Sequence, residues 1–297
     1  ATAATAAAPA WRLLTLDPRW GASPAAQAET VGLAALLSAD ELRGATELHL
    51  HNFMIDLDWM ITECPALGSA DLVRVFFGDT VAPQSTTRRS APRRFQLYAP
   101  PLETYGCYHS KAILILRPAS VTVHVITANF IFPDWHNKTN GVWSGEFPRR
   151  AAPAATTEDM GADWEQYYVA LAKLGASPPP GWKTKARGAP PTDDERRQWR
   201  ALPTDWPRQY DWSSANARLV SSMPGRHVGA DLDRWGHMAV RRLLRAEGVS
   251  AAHADAPLVM QFSSLSSVGE RGWLRELSKS LCGGDGGPTR LKVVYPS

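Results

Sequence analysis

The sequence runs to 297 residues, 44% of them hydrophobic, with twelve tryptophans and a formal net charge of +3. Such a composition excludes a disordered chain, and the length suits two domains of ordinary size. The mild charge makes no case for a nucleic-acid binder by itself, because the arginine clusters at 88–89, 93–94, 149–150 and 241–245 read first as solvated faces. Cys64, Cys107 and Cys282 are odd in number and lack CxxC spacing. They suggest neither a disulfide framework nor a zinc site, and fit a reducing, intracellular setting. No apolar run approaches the ~20 residues of a membrane span. The opening ATAATAAAPA lacks the charged start and long apolar centre of a secretory signal, and reads as a flexible lead-in.

In chain order, residues 11–16 form a short apolar run suited to a sheet, and residues 29–37 carry helical spacing. SADE at 38–41 is a capping-box pattern opening a short turn. Residues 47–53 alternate, placing Leu48 and Leu50 on one face and His49 and His51 on the other. That histidine pair lacks a third ligand nearby and is expected to be structural. A helix capped by Asp56 is expected over 56–61, a strand over 72–77, an arginine-rich loop over 83–94 and a strand over 95–98. Strands over 112–116 and 121–127 follow, then a loop over 148–157 and an amphipathic helix over 163–174. Residues 175–208, with PPP at 178–180, read as the least ordered part. A domain boundary is expected near 212, giving domains 1–212 and 213–297. Strands over 217–221, 258–262 and 291–295 and helices over 232–245 and 270–281 fill the second. Strands alternating with helices indicate an α/β fold, a layered α-β-α sandwich.

The chemistry concentrates in TYGCYHSKAILIL, RPASVTVHVITANF and IFPDWHNKTNGVW, residues 104–143. On a strand, His109 and Lys111 share a face, and cross-strand pairing would bring Asn129 beside them. Imidazole, ammonium and carboxamide together would cradle a phosphate, with histidine as nucleophile or as acid and base. The same spacing also fits a half-buried strand histidine, and the residues alone leave both readings open.

HSK at 109–111, the step to Asn129 and the tail TANFIFPDWHNKTNGVW resemble the tyrosyl-DNA phosphodiesterases, a branch of the phospholipase D superfamily. The segments HNFMIDLDWMITECP, VRVFFGD, SSMPGR, DRWGH, LVMQFSS and LKVVYPS are similar to that family in the same order. The resemblance implies a phospholipase D-type sandwich and a DNA-repair phosphodiesterase in the nucleus. Its substrates would be DNA 3′ ends carrying tyrosyl or peptide adducts, resolved through a covalent phosphohistidine. His109 would be the nucleophile, and Lys111 and Asn129 would hold the non-bridging oxygens. Tyr105 would stack on a base of single-stranded DNA, and Ser263, Ser264 and Ser267 would contact the DNA backbone. No metal or other cofactor would be needed, because lysines and amides stabilise the charge. His136-Asn137-Lys138, a second His-x-Lys, lies in an expected loop and is assigned to structure.

The resemblance also implies two His-Lys-Asn sets, the second histidine protonating the leaving phenolate and activating water. No His-x-Lys occurs after residue 143. The expectation is a second domain of similar type only partly present, completed by a missing C-terminal half. Two rivals stand beside this: a non-catalytic fragment that binds DNA 3′ ends, and a single-motif phosphodiesterase that works as a homodimer.

Overall fold

The computed structural model describes residues 9–17, 19, 23, 29–83, 94–154, 158–248, 253, 256–262, 272–284 and 291–294. The chain divides into two units, Ala1–Leu219 and Val220–Ser297. In the first, the strands are β1 (Ala10–Leu13), β2 (Glu47–Asn52), β3 (Val73–Phe77), β4 (Phe95–Tyr98) and β5 (Pro101–Leu102). Then come β6 (Ala112–Leu116), β7 (Ser120–Ile126), β8 (Gly141–Pro148) and β9 (Lys183–Thr184). Its helices are α1 (Leu33–Leu36), α2 (Leu57–Glu63), α3 (Phe132–His136), α4 (Met160–Ala176) and α5 (Asp193–Arg200). Among the described residues, seven strands make one mixed sheet in the order β1-β8-β7-β6-β2-β3-β4. β2, β3 and β4 run parallel, and β2-β6-β7-β8-β1 pair antiparallel, with Leu48 opposite Ile115 and Ala112 opposite Val125.

Period-two alternation gives the sheet two different faces. On one, Leu48, Leu50, Val73, Val75, Ile113 and Ile115 pack with Leu33, Leu57 and Met60 from α1 and α2. Burying such side chains contributes ~1.5–3 kcal/mol each. Asp56 starts α2 as expected, its carboxylate accepting from Trp59 N at 3.0 Å. The other face carries His49, His51, Arg74, Phe76 and Tyr98, all buried. Against it lie Trp164 and Tyr168 of α4, Trp199 of α5 and Trp206. The unit is therefore the layered α-β-α sandwich expected from the sequence.

Several local expectations change. The helix expected over 29–37 shrinks to Leu33–Leu36, because Val31 pairs with Leu14 as an isolated bridge instead. Residues 175–208 are ordered: Lys183 and Thr184 pair with β5, and Thr192 with Glu195 forms a capping box for α5. Trp199 and Trp206 anchor the segment, each only 2% exposed. Gly175 admits the first of these, since a Cβ there would sit 2.1 Å from the Trp199 ring. Strand β8 was not foreseen, its Gly141, Gly145 and Pro148 masking a segment whose Val142, Trp143 and Phe147 are buried. No strand forms over 217–221, because Arg218 and the Leu219 N–H are held by the Asp163 carboxylate at 2.8 and 2.9 Å.

In the second unit, β10 (Leu258–Gln261) pairs parallel with β11 (Leu291–Val294). Helices α6 (Gly236–Glu247) and α7 (Gly272–Leu281) pack together, and His237 Nδ1 meets Ser280 Oγ at 2.9 Å. β10, expected to be buried, has only Met260 fully so. The opening residues 1–8 and most of the arginine loop at 83–94 lie outside the described residues. No described helix is long and apolar enough to cross a membrane.

Candidate active site

The segment leading into β6 alternates in direction before regular pairing begins. Tyr108 is buried at 1% exposure and Ser110 is half-buried with its hydroxyl toward Tyr167 of α4, whereas His109 is exposed. His109 and Lys111 therefore project together, and Lys111 Nζ lies 2.8 Å from His109 Nδ1 and 3.2 Å from the His109 carbonyl oxygen. The expectation that both sit on a regular strand needs correcting. β6 starts at Ala112, and only the Lys111 carbonyl, accepting from Ile126 N at 3.1 Å, extends the ladder toward them. Phe53 packs on the imidazole with ring centroids 5.0 Å apart.

Partial burial, with the Lys111 charge in second place, lowers the His109 pKa, so its imidazole is neutral at pH 7 and Nδ1 accepts from the Lys111 ammonium. Burial also lowers the Lys111 ammonium to about 8, partly opposed by the Asp134 charge and then by Cys107. Lys111 remains mostly cationic at pH 7. A neutral nitrogen base beside a cation is the pairing that attack on an anionic phosphodiester requires.

Asn129 lies past the end of β7 and is held differently from expectation. Its backbone N–H and Nδ2 both donate to Asp134 Oδ2 at 2.8 Å, and its side chain makes no hydrogen bond to His109 or Lys111. Its Oδ1 is buried without a partner among the described residues. Asp134, buried on α3, also accepts from Lys138 Nζ at 2.7 Å, while Trp135 Nε1 donates to the Asn129 carbonyl. Asp134 escaped the sequence reading; its i,i+4 spacing to Lys138 was the available signal. The triplet at 136–138 supports structure: His136 ends a single-turn helix, not a loop, and stacks on Phe132 at 4.3 Å. Tyr105 is 97% exposed. Ser263, Ser264 and Ser267 lie outside the described residues.

The sequence profile of the tyrosyl-DNA phosphodiesterases matches residues 19–168 and 201–297. The chain belongs to that family. Tyrosyl-DNA phosphodiesterase 1 of Arabidopsis thaliana is 31% identical over 297 residues, covering 97% of this chain and 45% of the plant protein. The Drosophila melanogaster protein of the same name is 24% identical over 276 residues, covering 87% of this chain and 44% of its own. The chain thus spans about half the length of these family members. A crystal structure of yeast tyrosyl-DNA phosphodiesterase superposes with a TM-score of 0.57 at 10% identity, over 80% of this chain and 49% of the yeast one. A variant of that enzyme superposes at 0.65 and 11% identity, over 93% and 57%. At such identity these two likenesses speak for a shared fold alone.

Proposed function

We propose that the chain carries the phosphate-attacking half of a DNA-repair phosphodiesterase that removes tyrosyl and related adducts from DNA 3′ ends. The observation that carries this is the neutral, solvent-exposed His109 imidazole 2.8 Å from the Lys111 ammonium. A ring nitrogen of His109 attacks phosphorus, forming an N–P bond as the P–O bond to the tyrosyl oxygen breaks. Lys111 holds the non-bridging oxygens as negative charge builds on them. The Asn129 carboxamide donates to Asp134, whose charge in turn favours the Lys111 ammonium. Tyr105 offers a π-face to the base next to the 3′ phosphate.

The departing phenolate needs a proton, and the phosphohistidine needs an activated water. His109 cannot supply the proton while its nitrogen bonds to phosphorus. Among the other histidines of the first unit, His49, His51 and His124 are buried, and His136 is stacked on Phe132. The expected behaviour of these 297 residues is a single attack without efficient turnover.

A single-stranded oligonucleotide ending in a 3′ p-nitrophenyl phosphodiester tests this, because p-nitrophenolate leaves without a proton. The expected result is a burst of one p-nitrophenolate per chain and acid-labile 3′-phosphate label on the protein, both lost in His109→Ala. Binding without a burst would favour a non-catalytic DNA-end module. Turnover rising with self-association would favour a homodimer with paired single motifs.

A further inference from the structure

Beneath the candidate site runs an unbroken chain of buried hydrogen bonds that the proposed chemistry does not use. Ser110, set between His109 and Lys111, meets the Tyr167 hydroxyl at 3.0 Å, and Tyr167 meets Tyr108 at 3.0 Å. The Tyr108 hydroxyl lies 2.6 Å from His51 Nδ1, and His51 Nε2 lies 2.7 Å from the Tyr168 hydroxyl. Tyr168 lies 2.7 Å from His49 Nδ1, and His49 Nε2 lies 3.0 Å from Glu47, which also accepts from Arg74 Nε at 2.8 Å. The five aromatic links are each 2% exposed or less.

One fixed end orders every proton. The Glu47 carboxylate only accepts, so His49 carries its proton on Nε2 and accepts at Nδ1 from Tyr168. With its single proton committed, Tyr168 must accept from His51 Nε2, which leaves His51 Nδ1 to accept from Tyr108. The Tyr108 oxygen then accepts from Tyr167, whose hydroxyl also lies within hydrogen-bond distance of Ser110 Oγ. The five bonds from Tyr167 to Glu47 point the same way, an arrangement in which each polarises the next. Burial keeps its histidines and tyrosines uncharged at pH 7.

We propose that Glu47, His49, Tyr168, His51, Tyr108 and Tyr167 are positioning residues that act through Ser110 to fix the segment bearing His109 and Lys111. The inference rests on the reading of that pair as the phosphate-handling site. Residues 109–111 precede the regular strand and gain little from the sheet ladder, so their orientation needs another anchor. A turned-out Ser110 would twist both neighbours off their common face, and small misplacements of reacting groups are costly.

The test compares Tyr167→Phe, Ser110→Ala, Ser110→Thr and Lys111→Ala in the full 297-residue chain. The readouts are the p-nitrophenolate burst rate and the NMR titration of the Lys111 side chain. Tyr167→Phe and Ser110→Ala are expected to slow the burst about 10-fold or more, with unfolding midpoints monitored alongside. Both should also move the Lys111 titration upward from about 8 as the segment loosens into water. Ser110→Thr, which keeps the hydroxyl, should behave as the parent chain. An unchanged burst in Tyr167→Phe and Ser110→Ala, while Lys111→Ala slows it, overturns the positioning role and leaves the site reading intact. If the parent chain gives no burst, the site reading fails and the titration decides: an unmoved Lys111 overturns the anchor and an upward shift upholds it.

Discussion

Glu47 anchors the buried chain, and its ionisation should appear in the acid limb of stability. Burial opposes its charge, but hydrogen bonds from His49 and Arg74 outweigh that and lower the carboxyl from 4.5 to about 2. A depressed carboxyl stabilises the fold above its unfolded pKa, and the contribution is lost as pH falls from about 4.5 toward about 2. At ~1.4 kcal/mol per unit the full shift corresponds to ~3 kcal/mol. Two features reduce it: the side chain keeps 26% exposure, and His49 is neutral above its own lowered pKa, so Arg74 alone supplies charge. The working value is ~2 kcal/mol. Urea unfolding followed by tryptophan fluorescence at pH 6 and pH 3 tests it in the parent chain and Glu47→Gln. Comparing the proteins cancels the other depressed carboxyls, among them Asp134 and Asp211. The Gln variant should be less stable at pH 6 by ~2 kcal/mol, with the gap reduced to less than half at pH 3 and closing only as pH falls to about 2. Parallel losses in both proteins would refute the ionised anchor, and the proton order of the chain with it.

Lys111 binds phosphate as an ammonium, so affinity for a 3′-phosphorylated oligonucleotide should fall as pH rises through about 8; a flat profile to pH 10 would remove Lys111 from the cradle. Tyr105→Ala should weaken single-stranded DNA binding by ~1–3 kcal/mol irrespective of sequence, and Tyr105→Phe should be nearly silent; equal damage from both would assign the role to the hydroxyl. Asp134→Asn takes the charged acceptor from Asn129 and should cost ~1.5–3 kcal/mol in urea unfolding. The same change removes the charge that favours the Lys111 ammonium, so its titration should fall further below about 8. Gly175→Ala drives a methyl into the Trp199 ring and should destabilise by ~1–3 kcal/mol, read as a lowered melting temperature.

The sheet was largely legible because its strands obey a period that sequence displays. Leu48 and Leu50 against His49 and His51, and the apolar runs at 73–77 and 112–116, report burial directly. Residues 175–208 misled because proline and charge dominate the local composition, while Trp199 and Trp206 find their partners at long range on α4 and the sheet. β8 was hidden for a similar reason, its glycines being tolerated where Phe147 and Trp143 fill the space beside Gly145. At the site, spacing placed His109 beside Lys111 correctly. It could not place Asn129, whose orientation depends on Asp134, five residues on and outside any motif the spacing defines.

The histidines on β2 show why an uncharged link suits this position. A protonated His51 beneath Ser110 would add a second cation near Lys111 and push its proton off, weakening the charge meant for phosphate. A carboxylate in the same place would compete with the substrate for that ammonium. Here the negative end stands at Glu47, four residues along β2 from His51, and Arg74 neutralises it there. That span is roughly 13 Å of strand, and the neighbouring guanidinium, rather than salt, offsets the charge inside the protein. Hydrogen-bond direction is carried across that span through neutral rings, while net charge is not. The site thereby receives an orientation from the sheet's far end without receiving a field that opposes its chemistry.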